Sequence, residues 1–177
     1  MCIRDRRLTL IRLLVLAAQA ASVGIAYLSG MVPLPWLPLC VTLAISLGLC
    51  LVTALRLRGP WPVTELEYTV QLACDLVIHS VLLYYSGGPA NPFVSYYLVP
   101  LTIAAATLPW LHTMALCALG LAGYSVLLFW PHPLNIPVAQ RESLLIYGMW
   151  LSVAMAAVLI TFCLLYTSPS PRDKRQS

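Results

Sequence analysis

Apolar residues fall in this chain in long runs. Stretches at 8–28, 39–55, 66–85, 94–108, 113–130 and 143–162 carry few charges. All but the rather short fourth approach the ~20 residues that a helix needs to cross a bilayer. The breaks carry turn chemistry: three prolines within 30–38, Gly59-Pro60, Gly87-Gly88, Pro109-Trp110, and the proline-punctuated 131–137. Barrel-type alternation is absent, and lipid then leaves helix as the way to satisfy the backbone. The pattern predicts an all-α fold, a polytopic membrane bundle of about six transmembrane helices, with no internal repeat.

Composition sharpens this. Of 177 residues, 60% are hydrophobic and 9% charged, with mean hydropathy +0.86. A soluble domain carries about 25% charged residues; here the solvent for most of the chain must be lipid. The net charge of +4 does not point to nucleic acid, because the ten basic residues form no face that could track phosphates. Instead they set an orientation. Arg7 and Arg12 flank the start of the first run, and Arg56 and Arg58 lie between the second and third. The loops after runs one and three carry no Lys or Arg, and the loop after run five carries only Arg141. By the positive-inside rule the amino terminus is cytoplasmic and the Gly87-Gly88 loop faces outward. Trp36, Trp110 and Trp130 sit at run ends, as interface aromatics do. Cys40, Cys50, Cys74 and Cys117 lie in apolar runs without metal-type spacing and read as packing residues, and no metal site is expected.

The two ends read differently from the middle. Met1-Cys2-Ile3-Arg4-Asp5 can be encoded by ATG TGT ATA AGA GAC, and Cys163-Leu164-Leu165-Tyr166-Thr167 by TGT CTC TTA TAC ACA. Extended by AG, the first string has a reverse complement that contains the second. Ends related in this way look like a sequencing adapter of the transposase type read through at both sides, continued by 168–173. Residues 1–6 and 163–177 are therefore set aside as adapter-derived, and 7–162 is the expected six-helix transmembrane domain.

Within the third run Glu67, Gln71, Asp75 and His79 recur every four residues and share one helix face. An ionised Asp at mid-depth costs roughly 2.5–3.5 kcal/mol, so Asp75 should face the interior and hold a partner. His79, one turn on, is the nearest candidate. The pair reads either as a polar clasp between helices or as a proton route beside a ligand.

After this run comes Gly87-Gly88-Pro89-Ala90-Asn91-Pro92-Phe93. Two glycines permit a sharp turn at the membrane face. Asn91 then Pro92 reads as an N-cap and first helical residue, which leaves unpaired N–H groups beside Phe93. A flat ring bearing carbonyl oxygens would suit that place, with Tyr84, Tyr85, Tyr96 and Tyr97 around it. An ordinary tight turn with an aromatic belt is the plainer alternative.

This Gly-Gly-x-x-Asn-Pro-Phe pattern, with Asp75 before it and Pro100 and Leu108-Pro109 after it, resembles the membrane domain of the RegB/PrrB-type redox-responsive sensor histidine kinases. The resemblance covers most of 68–124. It implies that Gly87, Gly88, Asn91, Pro92 and Phe93 respond to ubiquinone or a related quinone. It further implies a homodimer in the bacterial inner membrane that signals to a response regulator. The family's ATP-dependent kinase core follows the sixth helix and is missing here, so the fragment itself is expected to have no catalytic residues, whereas the intact parent would be a protein-histidine kinase. Two other functions fit the sequence: a transporter or permease fragment with a proton path through Asp75 and His79, and a membrane scaffold without a ligand.

Overall fold

The computed structural model describes residues 3–29, 33–59, 63–130, 132, 142, 145–150, 152–154, 156–158 and 161. Among these residues it is helical, with no strand. The elements are α1 (Ile3–Ser29), α2 (Trp36–Arg56), α3 (Glu65–Tyr85), two 3-10 turns (Gly88–Ala90 and Pro92–Tyr97), α4 (Leu98–Thr107) and α5 (Trp110–Phe129). Described residues of a further apolar helix fall within Leu145–Val158.

Three helices, α2, α3 and α5, are long and apolar enough to cross a membrane. Three shorter apolar stretches, Arg12–Leu28, Pro92–Thr107 and Leu145–Val158, match the other three expected spans in place but not in full length. The loop at 131–137, apart from His132, lies outside the described residues, as do Pro60, Arg141 and 163–177, while Ile3–Arg6 continue α1.

Local chemistry explains the element ends. Helix α2 begins at Trp36 and includes Pro38, which the sequence reading placed in the preceding break. A proline in the first turn is tolerated because N–H groups there have no partner within the helix. Helix α3 is capped by Thr64, whose hydroxyl accepts from the N–H of Glu67 at 3.2 Å, with Glu65 and Glu67 at the positive end of the helix dipole. The fourth run departs most from expectation. Its start belongs to a six-residue 3-10 helix, Pro92–Tyr97, and only the ten residues Leu98–Thr107 are α. Pro100, in the first turn of α4, has no N–H to donate back toward Tyr96, so an α ladder through this point lacks one rung.

Helix α3 packs against α2, α4 and α5, while α1 lies along α2. The main core joins Tyr68, Leu72, Leu76 and Leu83 of α3 to Tyr96, Tyr97, Val99, Ile103, Leu116 and Leu127. A smaller core gathers Leu34, Leu39, Ile78 and Leu82. Outward faces stay apolar: Leu37, Val41, Ile45 and Val52 on α2, and Leu111, Leu121 and Phe129 on α5, are exposed. Apolar faces of this extent suit hydrocarbon rather than water.

Two close approaches fix helix spacing. A Cβ on Gly123 of α5 would lie 2.8 Å from Ser80 Oγ and 3.3 Å from the Tyr97 hydroxyl. A Cβ on Gly148 would collide with the ring of Pro92. Four residues on from Gly148, buried Ser152 hydrogen-bonds Ser95, and Ala156 is buried another turn along. The Leu145–Val158 helix thus meets the start of the fourth run through small residues, as close membrane helix pairs do.

Candidate functional site

The loop between α3 and the fourth run turns on its two glycines. Gly87 has φ 122° and Gly88 φ 62°, conformations that side chains resist. Asn91, buried, then locks the turn. Its amide Nδ2 donates to the Ser86 carbonyl at 2.8 Å and to Ser86 Oγ at 2.7 Å, while Oδ1 accepts from the N–H of Phe93 at 2.9 Å. Its backbone N–H donates to the Gly88 carbonyl at 3.1 Å, and its carbonyl accepts from Val94 at 3.2 Å. Asn91 as cap and Pro92 as first helical residue are as the sequence suggests. The N–H groups beside Phe93 are not free, however: Asn91 takes those of both Phe93 and Val94, which corrects the expected donor site. The Asn side chain and the 3-10 wind each supply an acceptor that an unassisted helix start lacks.

A different donor lies beneath the loop. His79, 6% exposed, places Nε2 3.2 Å from the Phe93 carbonyl and Nδ1 3.4 Å from the amide Nε2 of Gln19 in α1. A carbonyl can only accept, so Nε2 carries the proton and Nδ1 is the acceptor for the Gln19 amide. The imidazole also meets Tyr96 and Tyr97, with ring centroids at 5.3 and 5.0 Å. Tyr97 in turn shares a 2.6 Å hydrogen bond with Ser80. Tyr84 and Tyr85 pair with each other and approach His132 instead.

One turn below, Asp75 does not pair with His79. Both of its oxygens accept from Arg12 of α1, Oδ2 from Nε and Oδ1 from Nη2, each at 2.8 Å. The same guanidinium donates through Nη1 to Thr53 of α2 and through Nη2 to the carbonyl of Gln71 in α3, again at 2.8 Å. One buried Arg therefore ties three helices together. This also removes Arg12 from the flanking charges used to orient the chain, because it points into the bundle at 8% exposure. Three side chains of the α3 stripe meet partners as the spacing implies: Glu67 pairs with Arg56 at 3.3 Å, Asp75 meets Arg12, and His79 meets Gln19, while Gln71 meets Arg12 through its backbone carbonyl.

Two small cavities lie next to each other along this stripe. One, of about 50 Å³, lies under the loop, walled by Val23, Leu39, Leu82, Leu83 and Phe93, with Gln19, His79 and Asn91 among its polar groups. The other, of about 40 Å³, reaches Arg12, Cys50, Asp75 and Pro100. They share Gln19, His79 and Tyr96 as a common wall. Mostly apolar walls with a few converging polar groups are what a small-molecule site offers. A ring the size of benzene occupies a cavity of about 150 Å³, so these walls must move apart to admit a ring-shaped ligand.

Sequence reasoning missed Arg12 and Gln19 because both partners lie across helices. A signal for Arg12 existed: an Arg inside an apolar run requires an acid, and Asp75 is the deepest one available. No family model matches this chain, and no similar protein was found among curated proteins or solved structures.

Proposed function

We propose that the chain is the membrane input domain of a quinone-responsive sensor histidine kinase of the RegB/PrrB type. In this reading it has six spans, its amino terminus lies in the cytoplasm of a bacterial inner membrane, and the 87–93 loop faces outward. Orientation then rests on Arg7, Arg56 and Arg58, without Arg12. The observation that carries the reading is the placement of Phe93. The Asn91 cap holds its backbone over an apolar cavity, and the carbonyl rests on His79. A bound quinone supplies a flat ring whose two carbonyl acceptors become hydroxyl donors on reduction.

The residues of the chain have distinct parts in this scheme. Phe93 offers a stacking face, and Val23, Leu39, Leu82 and Leu83 exclude water. Gln19 and His79 supply the polar contacts that tell a carbonyl from a hydroxyl. A ligand biases a two-state bundle only through unequal affinity for its two arrangements. The contacts Pro92–Gly148 and Ser95–Ser152 connect the loop to the Leu145–Val158 helix, which would hand the bias to a downstream kinase dimer and its response regulator. A proton path through Asp75 and His79 has less support, since both Asp75 oxygens accept from Arg12.

Two experiments test this. Sequencing the native gene beyond the codon for Phe162 should reveal a His-bearing helical hairpin and an ATP-binding domain; a stop codon or another domain there removes the kinase assignment. For the ligand, the chain is placed in lipid nanodiscs and the ubiquinone retained above empty discs is quantified. Asn91→Asp and Phe93→Ala should each reduce retention several-fold, and unchanged retention in both sinks the loop assignment.

A further inference from the structure

We propose that the Phe93 carbonyl occupies, on His79 Nε2, the place that a ligand carbonyl takes, so that loop and ligand compete for one donor. This rests on the quinone reading above and adds to it the group that recognises the ligand and the bond that must break.

Among the donors around the cavity, His79 differs from the serines and from Asn91 in what it holds. Ser22 and Ser86 donate to carbonyls in their own helical turns, those of Ala18 and Leu82, and Asn91 donates twice to Ser86. These bonds are 2.6–2.8 Å long and close small local rings. The His79–Phe93 bond instead joins α3 to a separate segment and is longer, at 3.2 Å, and the Gln19–His79 contact is longer still, at 3.4 Å. At the long end of the N–H···O range, and with no local ring to close, the His79–Phe93 bond is one that a better-placed acceptor can replace. In the tautomer fixed by Phe93, the imidazole has a single N–H to give. A carbonyl ligand that takes it leaves the Phe93 carbonyl without its His79 bond.

That exchange has a mechanical result. Phe93 follows Pro92, against which Gly148 is seated, and precedes Ser95, which holds Ser152. Freeing Phe93 from His79 therefore loosens the short segment on which the Leu145–Val158 helix rests, leaving it tied to α3 at its two ends by Asn91–Ser86 and Tyr97–Ser80. An acceptor of the carbonyl class drives the exchange. A hydroquinone, whose hydroxyls can donate to the Phe93 carbonyl, leaves it in place or bridges it.

The test reads the Phe93 carbonyl directly. The full chain is labelled with 1-13C-phenylalanine, which marks three carbonyls, at Phe93, Phe129 and Phe162. Phe93→Leu identifies the band of interest. A short-tailed ubiquinone is added to the chain in nanodiscs, and infrared difference spectra are recorded. The expected result is an upward shift of the Phe93 band and a downward shift of a quinone carbonyl band. His79→Phe should weaken quinone retention about tenfold, the worth of one hydrogen bond, and abolish both shifts. His79→Gln, which keeps an N–H donor, should restore them in part. Bound quinone with an unmoved Phe93 band, or undiminished binding by His79→Phe, overturns the exchange and leaves the quinone reading standing. Absence of retained quinone in the parent chain overturns that reading, and the exchange with it. Should His79→Phe fail to fold by circular dichroism, the parent spectrum and His79→Gln decide the matter.

Discussion

Arg12 and Asp75, 63 positions apart, meet side-on within the bundle, with two guanidinium nitrogens on two carboxylate oxygens at 2.8 Å each. The pair is bidentate, and Arg12 is almost wholly buried. Removing one partner strands the other. Arg12→Met should cost about 3–5 kcal/mol, and Arg12→Met with Asp75→Leu together should cost less than Arg12→Met alone. A double-mutant cycle of unfolding in mixed micelles reads this. Arg56→Ala, which breaks the half-exposed pair with Glu67, should change stability by under about 1 kcal/mol.

The two loop glycines should differ in what they tolerate. Gly88, at φ 62°, lies in the left-handed region that Asn also visits, so Gly88→Asn should be milder than Gly88→Val. Gly87, at φ 122°, lies beyond that region, and Gly87→Ala should loosen the turn more than Gly88→Asn. Rates of proteolysis within 86–93 rank the variants. A reversed order would argue against this loop conformation.

On α5, Gly120 and Gly123 make a matched pair. A methyl at Gly120 meets side-chain carbons at 3.8–3.9 Å, an ordinary contact, so Gly120→Ala should be neutral or stabilise by up to about 1 kcal/mol. At Gly123 the methyl meets Ser80 Oγ, which is held by both the Leu76 carbonyl and Tyr97. Gly123→Ala should therefore destabilise, and adding Ser80→Ala should recover much of the loss. Thermal unfolding of the three variants checks the sign of each.

Docking of the Leu145–Val158 helix can be examined by cross-linking. In a background with the native cysteines replaced, Ser95→Cys with Ser152→Cys should oxidise readily to an intrachain disulfide, because the two hydroxyls touch. Ser95→Cys with Val153→Cys should not, since Val153 points outward. Equal yields from the two pairs would mean that this helix does not rest on Ser95.

Much of the bundle is legible in the sequence because a helix face is a local property. The four-residue spacing of Glu67, Gln71, Asp75 and His79 places them on one side of α3, and that side does face inward. Asn91 and Pro92 announce a helix start by chemistry confined to three residues. What spacing cannot supply is the partner across a helix gap. Asp75 looked one turn along its own helix to His79, whereas its ligand sits in α1. Likewise, unpaired N–H groups beside Phe93 follow from an ideal helix start, and the bonds that actually consume them depend on a side chain folding back over the turn. Gly148 carried no signal at all, because the ring of Pro92, 56 positions earlier, is what makes a side chain impossible there.

The 3-10 wind of Pro92–Tyr97 is also a store of length. A 3-10 helix rises about 2.0 Å per residue and an α-helix about 1.5 Å, so this wound segment and α4 together reach about 27 Å, against about 24 Å if all were α. That difference separates a segment able to match a thin hydrocarbon layer from one left short of it. Rewinding the six residues would pull the two ends of the run together by about 3 Å without disturbing its sequence. In the proposed six-span arrangement, bilayer thickness would bear on the same six residues that carry Phe93, and a thinner or thicker lipid would be an adjustment to the loop made from outside the protein.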